Sequence, residues 1–245
     1  MKWTPPTPGR KYYSVCDVGT IKEPENWIYT DFISLEDAKL LDIRMQYGLK
    51  NCPKNAGVHC KRYLSLYAFH TKKELSATPV PKLQGKNKLY QFAAKIEPKP
   101  LPLAGKRQEY IYNGTLVTKA KGIYLGLLDQ GACISIESIT IGYRYCSKKG
   151  PTLVEFPRTV APPNDSHLVE QAGKCSDPNS LSSKKLLGMC LSSGEWNITV
   201  GLKCLCKEGY ELLGDSKSNS LECKGVYMYI IYNYCRLWQK IKLLD

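Results

Sequence analysis

Cys133-Ile134-Ser135-Ile136-Glu137-Ser138-Ile139-Thr140-Ile141-Gly142-Tyr143-Arg144-Tyr145 alternates apolar with polar residues, and the alternation changes phase once. Ile134 and Ile136 stand at even positions, whereas Ile139, Ile141, Tyr143 and Tyr145 stand at odd ones. Successive side chains of a strand point to opposite faces, so this run has one buried face. A change of parity within it requires one extra residue, and the pattern predicts a β-bulge near Glu137-Ser138. Leu41 to Tyr47 shows the same rhythm, with Leu41, Ile43, Met45 and Tyr47 on one side and Asp42, Arg44 and Gln46 on the other. Ser34-Leu35-Glu36-Asp37 before it has the form of a helix cap, but no apolar stripe of helical length follows. Tyr63 to Phe69 reads as another strand, and prolines and lysines between Thr71 and Leu103 restrict that region to loops and edge strands. Many antiparallel strands separated by turns predict a mainly β chain built as a sandwich or jelly roll.

The chain has 245 residues, 43% of them hydrophobic, which is ample for a core. It also has eleven cysteines. Structural zinc takes C-x2–4-C pairs or paired histidines, whereas the nearest cysteines here are Cys204-Leu205-Cys206 and the histidines His59, His70 and His167 are isolated. Disulfides are the better account, and they imply an extracellular setting. Three N-glycosylation patterns agree with this, at Asn113-Gly114-Thr115, Asn164-Asp165-Ser166 and Asn197-Ile198-Thr199. The opening Met1-Lys2-Trp3-Thr4-Pro5-Pro6 contains no apolar core of a signal peptide, from which an incomplete N-terminus is expected. The longest apolar stretch, Gly225 to Cys235, is shorter than the ~18–20 residues of a membrane-crossing helix, so no transmembrane segment is expected.

The net charge of +13 is uneven. Residues 82–121 carry nine Lys/Arg against two acids, a net of +7, while residues 146–224 carry ten against nine. A basic first domain attracts acidic protein loops or sulfated glycans, and an extracellular setting disfavours nucleic acid. Beyond Lys148-Lys149-Gly150-Pro151 the chain becomes rich in Ser, Gly and Lys, with cysteines at 175, 190, 204, 206 and 223. Such a segment holds too little apolar residue for a core of its own and depends on crosslinks.

Several stretches resemble one family, the Eph receptors. Tyr13-Ser14-Val15-Cys16-Asp17-Val18 resembles the motif around the first cysteine of the family's ligand-binding domain, and Asn26-Trp27-Ile28-Tyr29-Thr30-Asp31-Phe32-Ile33 resembles its "NWLRTNFI" segment. Leu49-Lys50-Asn51-Cys52 stands for "LRDC", Lys121 to Cys133 for "KKGFYLAFQDVGAC", and Tyr143 to Cys146 for "YYKKC". The likeness continues through Phe156-Pro157, Leu168-Val169-Glu170, Gly194-Glu195-Trp196 and Cys204-Leu205-Cys206-Lys207-Glu208-Gly209-Tyr210-Glu211, so that it spans about residues 12–223.

The resemblance implies a galactose-binding-like jelly-roll β-sandwich over residues 1–146 with incomplete N-terminal strands. A sushi module over 147–204, a partial EGF-like module over 205–224 and an unmatched tail over 225–245 would follow. It implies disulfides Cys16–Cys133, Cys52–Cys60, Cys146–Cys190, Cys175–Cys204 and Cys206–Cys223, with Trp196 as the core aromatic of the sushi module and Cys235 left over. An ephrin loop would enter an apolar channel beside the long-range disulfide, with walls from Cys16, Cys133, Trp27, Ile134, Ser135 and Ile136. Lys50 occupies the place of an arginine that pairs with an ephrin glutamate. Lysine keeps the charge and loses the planar two-pronged contact. Trp27 reads equally well as plain core. Glu137 falls where the family has an apolar channel residue, and either changes ligand preference or is turned away by the bulge.

The chain carries no glycine-rich phosphate loop, catalytic-loop aspartate or metal triad of a kinase, no cofactor motif and no other catalytic constellation. His59, between Cys52 and Cys60, makes no nucleophile of a disulfide-bonded cysteine. The expectation is an ephrin-binding receptor ectodomain fragment and not an enzyme, a truncated form that could act as a soluble decoy. The alternative is an extracellular β-sandwich that binds heparan sulfate through the 82–121 segment.

Overall fold

The alternating stretches become the strands of two antiparallel sheets. Among the described residues, nine strands build the first part of the chain: β1 (Tyr13–Cys16), β2 (Asn26–Tyr29), β3 (Ile33–Ser34), β4 (Leu40–Lys50), β5 (Leu64–Thr71), β6 (Gln91–Ile96), β7 (Arg107–Val117), β8 (Gly122–Asp129) and β9 (Cys133–Gly142). They are seen in a computed structural model that describes residues 3–9, 11–18, 24–52, 60–83, 89–148, 153–198, 203–214 and 221–225. The tail beyond Gly225, with Cys235, and His59 lie outside the described residues. The chain divides into two units, residues 1–143 and 144–245.

In the first unit one sheet has the order β1-β9-β4-β7 and the other β2-β8-β5-β6, with β3 also on β8. On β4, Leu41, Ile43, Met45, Tyr47 and Leu49 are buried while Arg44 and Lys50 are exposed, as the period-2 pattern requires. All eight residues of β8 are buried, because this strand is central in its sheet and covered on both faces. The β4–β9 register shifts between Gln46, opposite Ser138, and Tyr47, opposite Ile136. Glu137 is therefore the extra residue, and the parity change in the sequence is a bulge. Ser34-Leu35-Glu36-Asp37 forms a turn in which Glu36 and Asp37 have positive φ (45° and 71°). Asp37 pairs with Lys121 across it.

The inner faces of the two sheets meet across an apolar interior, where a cavity of about 540 Å³ is lined by Ile43 and Met45 of β4, Leu66 of β5, Leu125 and Leu127 of β8 and Ile136 of β9. The other face of the second sheet carries a cluster of Trp27, Tyr67, Tyr90, Tyr124 and Leu128. Tyr124 Oη accepts from Leu75 N at 3.0 Å, and Tyr90 Oη donates to Pro79 O at 3.0 Å. These bonds hold the proline- and lysine-rich segment over the sheet as a loop. Trp3 is buried and donates from Nε1 to Asn26 O at 3.0 Å, and Thr4 bridges Ser14 beside β1.

The second unit is a series of short hairpins held by crosslinks. Val169–Ala172, Leu187–Cys190 and Trp196–Ile198 form a three-stranded sheet. Phe156, fully buried, stacks on Trp196 at 4.7 Å between ring centroids. Gly173 and Gly188 leave room for that ring, since a Cβ on either would lie 2.8 Å from it. Cys146–Cys190 and Cys175–Cys204 flank this core, and Cys206–Cys223 ties on the last hairpin, Tyr210–Leu213 with Glu222–Gly225. With Cys16–Cys133 and Cys52–Cys60 in the first unit, these are the five disulfides of the described residues.

Candidate functional site

Strand register gathers the cleft. Across the β1-β9-β4-β7 sheet, Cys16 faces Cys133, Cys133 faces Lys50, and Lys50 faces Arg107. One row further in, Ser14 faces Ser135 and Ser135 faces Gly48. Both rows lie on the sheet face turned away from the second sheet, because the intervening residues Val15, Ile134 and Leu49 are buried in the interior. The result is a cleft of about 570 Å³ floored by the Cys16–Cys133 disulfide, lined also by Tyr12, Asp17 and Ile134, with Lys50 and Arg107 along one side.

Arg107 is held in place. Its Nη2 donates to Ser135 Oγ at 2.7 Å, and its guanidinium carbon lies 5.1 Å from the centroid of the Tyr12 ring. To reach Ser135 from β7 the side chain must cross β4, and it does so over Gly48. A Cβ at Gly48 would stand 2.7 Å from Arg107 Nε and 2.8 Å from Ser135 Oγ. Glycine here is a requirement of close approach. Asn51 fixes the neighbouring loop: its Nδ2 donates to Pro102 O at 2.5 Å and its amide to Lys106 O at 2.9 Å.

A buried polar cluster sets the turn that delivers Cys133. Asp129 Oδ1 accepts from Ala132 N at 2.7 Å, and Oδ2 accepts from Gly131 N at 3.3 Å and from Asn26 Nδ2 at 3.2 Å. Asn26 Nδ2 also reaches Asp17 Oδ2 at 3.2 Å. Burial pushes the Asp129 carboxyl above its ordinary range, against the pull of these hydrogen bonds. A raised folded-state pKa contributes stability that is present below the usual carboxylate range and lost as pH rises through the folded value. Asp129→Asn is therefore expected to flatten the pH dependence of the urea midpoint from the usual carboxylate pKa upward. Identical slopes in wild type and variant would contradict this.

The residues expected at the site divide into groups. Cys16, Cys133, Lys50, Ser135 and Ile134 line the cleft. Ile136 lines the cavity between the sheets, and Glu137, the bulge residue, sits at that cavity and not in the cleft. Trp27 packs edge-on against Tyr67 at 5.0 Å in the aromatic cluster of the second sheet. Arg107 escaped the sequence reading, where it figured only as one of nine cations in the basic segment. Asn113, Asn164 and Asn197 are exposed, Asn113 on β7, Asn164 at the cap of the 3-10 turn Asp165–His167, and Asn197 on Trp196–Ile198.

The model of the ephrin receptor ligand binding domain matches residues 7–146, and that of the ephrin cysteine rich domain matches residues 144–206. Ephrin type-A receptor 5 of Rattus norvegicus is 30% identical over 213 residues, covering 81% of this chain and 20% of the receptor. Ephrin type-A receptor 7 of Gallus gallus is 29% identical over 216 residues, covering 83% and 21%, and ephrin type-A receptor 4-B of Xenopus laevis is 29% identical over 208 residues, covering 81% and 20%. The chain thus spans about a fifth of the length of the curated relatives it matches. Both matched domains are ectodomain parts, and no kinase domain is matched. With a ligand-binding domain matched over more than half its length, and a cysteine-rich domain directly after it, the chain belongs to the Eph receptor family.

Proposed function

We propose that the chain is an extracellular ephrin-binding segment, and that it receives a loop of the ephrin in the cleft on the β1-β9-β4-β7 sheet. The observation that carries this reading is the row Cys16, Cys133, Lys50, Arg107 across four strands. The disulfide and paired strand ends preform the floor, so that little ordering entropy is lost when a loop enters. Lys50 and Arg107 meet an acidic residue of the loop. Arg107 is anchored through one edge of its guanidinium to Ser135, which leaves its remaining donors for a carboxylate. Beneath the cleft, β1 and β9 run through Val15 and Ile134, whose side chains are buried in the interior and fix the floor in place. The second unit acts as a disulfide-held spacer of a sushi module and the start of an EGF-like one. Released as a soluble fragment, this segment would compete for ephrin as a decoy.

The test is binding of the folded, disulfide-bonded chain to a panel of ephrin ectodomains over a range of salt. Saturable binding with a shallow salt dependence is expected, because only two exposed cations contribute. No binding to any ephrin by a correctly bonded chain removes the reading, and a steep salt dependence with capture on heparin favours the sulfated glycan instead. Gly48→Ala gives a finer result. The clashing groups are ends of side chains, so the fold is retained to within about 1 kcal/mol. Arg107 is displaced from Ser135, and ephrin affinity falls about tenfold, roughly the worth of one charge-assisted hydrogen bond. Unchanged affinity would separate the Arg107–Ser135 contact from binding.

A further inference from the structure

β7 is an eleven-residue strand at the edge of its sheet. Its ladder to β4 runs from Leu40–Val117 to Lys50–Arg107 without a bulge, and among the described residues no strand pairs with its other side. Folded proteins blunt such edges with lysine, proline, bulges or a covering element. From Gln108 to Val117 the strand has no lysine, no proline and one charge, Glu109. Tyr110-Ile111-Tyr112-Asn113-Gly114-Thr115-Leu116-Val117 combines strong strand formers with low charge, the composition that templates edge-to-edge association. Ile111 and Val117 are 53% and 65% exposed, on the sheet face turned from the interior. Asn113 and Thr115 lie between them on that face, both exposed.

We infer that Asn113 carries an N-linked oligosaccharide and that this glycan is the cover of the β7 edge. Five disulfides place the chain in the oxidising secretory compartment where the modification is made. There the Asn113 side-chain nitrogen attacks the anomeric carbon of a lipid-diphosphate-linked oligosaccharide, bound to a membrane oligosaccharyltransferase. The N–C bond forms, the bond from that carbon to the diphosphate oxygen breaks, the lipid diphosphate leaves, and the amide proton passes to a base of the transferase. The reaction precedes folding, and the folded strand accommodates the product because the side chain points to solvent. The position matters doubly. Asn113 faces Arg44, six residues along β4 from Lys50, so the glycan stands about 20 Å from the cleft on the same sheet face and leaves it open. The other two acceptor patterns have no edge of comparable length to cover among the described residues, since the strand of Asn197, also at a sheet edge, has only three residues. Asn164 caps a three-residue turn, and Asn197 is flanked by Trp196 and Ile198, which pack into the second unit's core.

The test uses the full chain behind a secretion leader, with Asn164→Gln and Asn197→Gln, made in cells that add only high-mannose glycans. Peptide mass spectrometry of secreted and intracellular protein is expected to show Asn113 occupied. Trimming the folded protein with endoglycosidase H is expected to turn a monomer into a species whose sedimentation depends on concentration. Thr115→Ala, which removes the acceptor signal and keeps every β7 backbone bond, is expected to do the same, and Ile111→Lys to restore the monomer in both cases. An unoccupied Asn113, a trimmed protein that stays monomeric, or association that persists with Ile111→Lys would each overturn the inference.

Discussion

Serine at both Cys16 and Cys133 is expected to lower the stability of the first unit by about 4–5 kcal/mol, measured by denaturant unfolding without reductant. The two residues are 117 apart in sequence and directly opposite in the β1–β9 ladder. In the loop-entropy view the cost grows with the logarithm of that separation, so Cys52→Ser with Cys60→Ser, separated by 8, is expected to cost about half as much. The larger loss matters because a domain's whole stability is only about 5–15 kcal/mol. β1 has four residues and, among the described residues, one partner strand, so the disulfide is its chief anchor to the sheet. Without it Ser14 and Cys16 leave the cleft wall, and binding is lost together with stability. Equal costs for the two disulfides would show that native-state strain or residual structure in the unfolded chain outweighs loop closure here.

What the sequence disclosed follows from how local each signal is. A bulge inside β9 is written in one strand as a change of parity, and register with β4 then places Glu137. Alternation also held information about the cleft that the family resemblance obscured. Cys133 and Ser135 share one face of β9, so the side chains of Ile134 and Ile136 point to the interior, and the four consecutive wall residues Cys133 to Ile136 present alternate faces. Ile136 accordingly lines the space between the sheets. β7 was not legible, because Tyr110-Ile111-Tyr112 breaks the alternation and an edge strand with one half-buried face shows little contrast. Arg107 was hidden for a different reason. Its role arises from register with Lys50, from a missing side chain at Gly48 and from Ser135 on a third strand, none of which is near it in the chain. Trp27 sits inside a motif of the ligand-binding domain, but its neighbours Tyr67 and Tyr90 come from strands and loops whose pairing no local pattern reveals.

Glutamate at both Lys50 and Arg107 is expected to weaken ephrin binding by more than about 100-fold while leaving the unfolding midpoint nearly unchanged, since like charges set against an acidic ligand cost several kcal/mol. The single changes separate the two cations. Lys50 is an exposed side chain at a strand end, so Lys50→Ala removes a partly screened charge and is expected to cost about 1 kcal/mol or less. Arg107 is preorganised by Ser135 and Tyr12, so less side-chain entropy is lost when it binds, and Arg107→Ala is expected to cost about 2 kcal/mol. Arg107→Lys should recover little of this, because one ammonium does not reproduce a guanidinium that bonds Ser135 on one edge and a carboxylate on the other. The pair are cross-strand neighbours, so their effects are expected to be non-additive, and the double-mutant cycle measures the coupling. If Lys50→Ala proves the costlier change, the acidic group of the ligand docks on Lys50, and Arg107 serves to brace Ser135 across Gly48. If both single changes and the double reversal leave binding intact, the ligand approaches another face, and the basic row beside the disulfide has no part in its recognition.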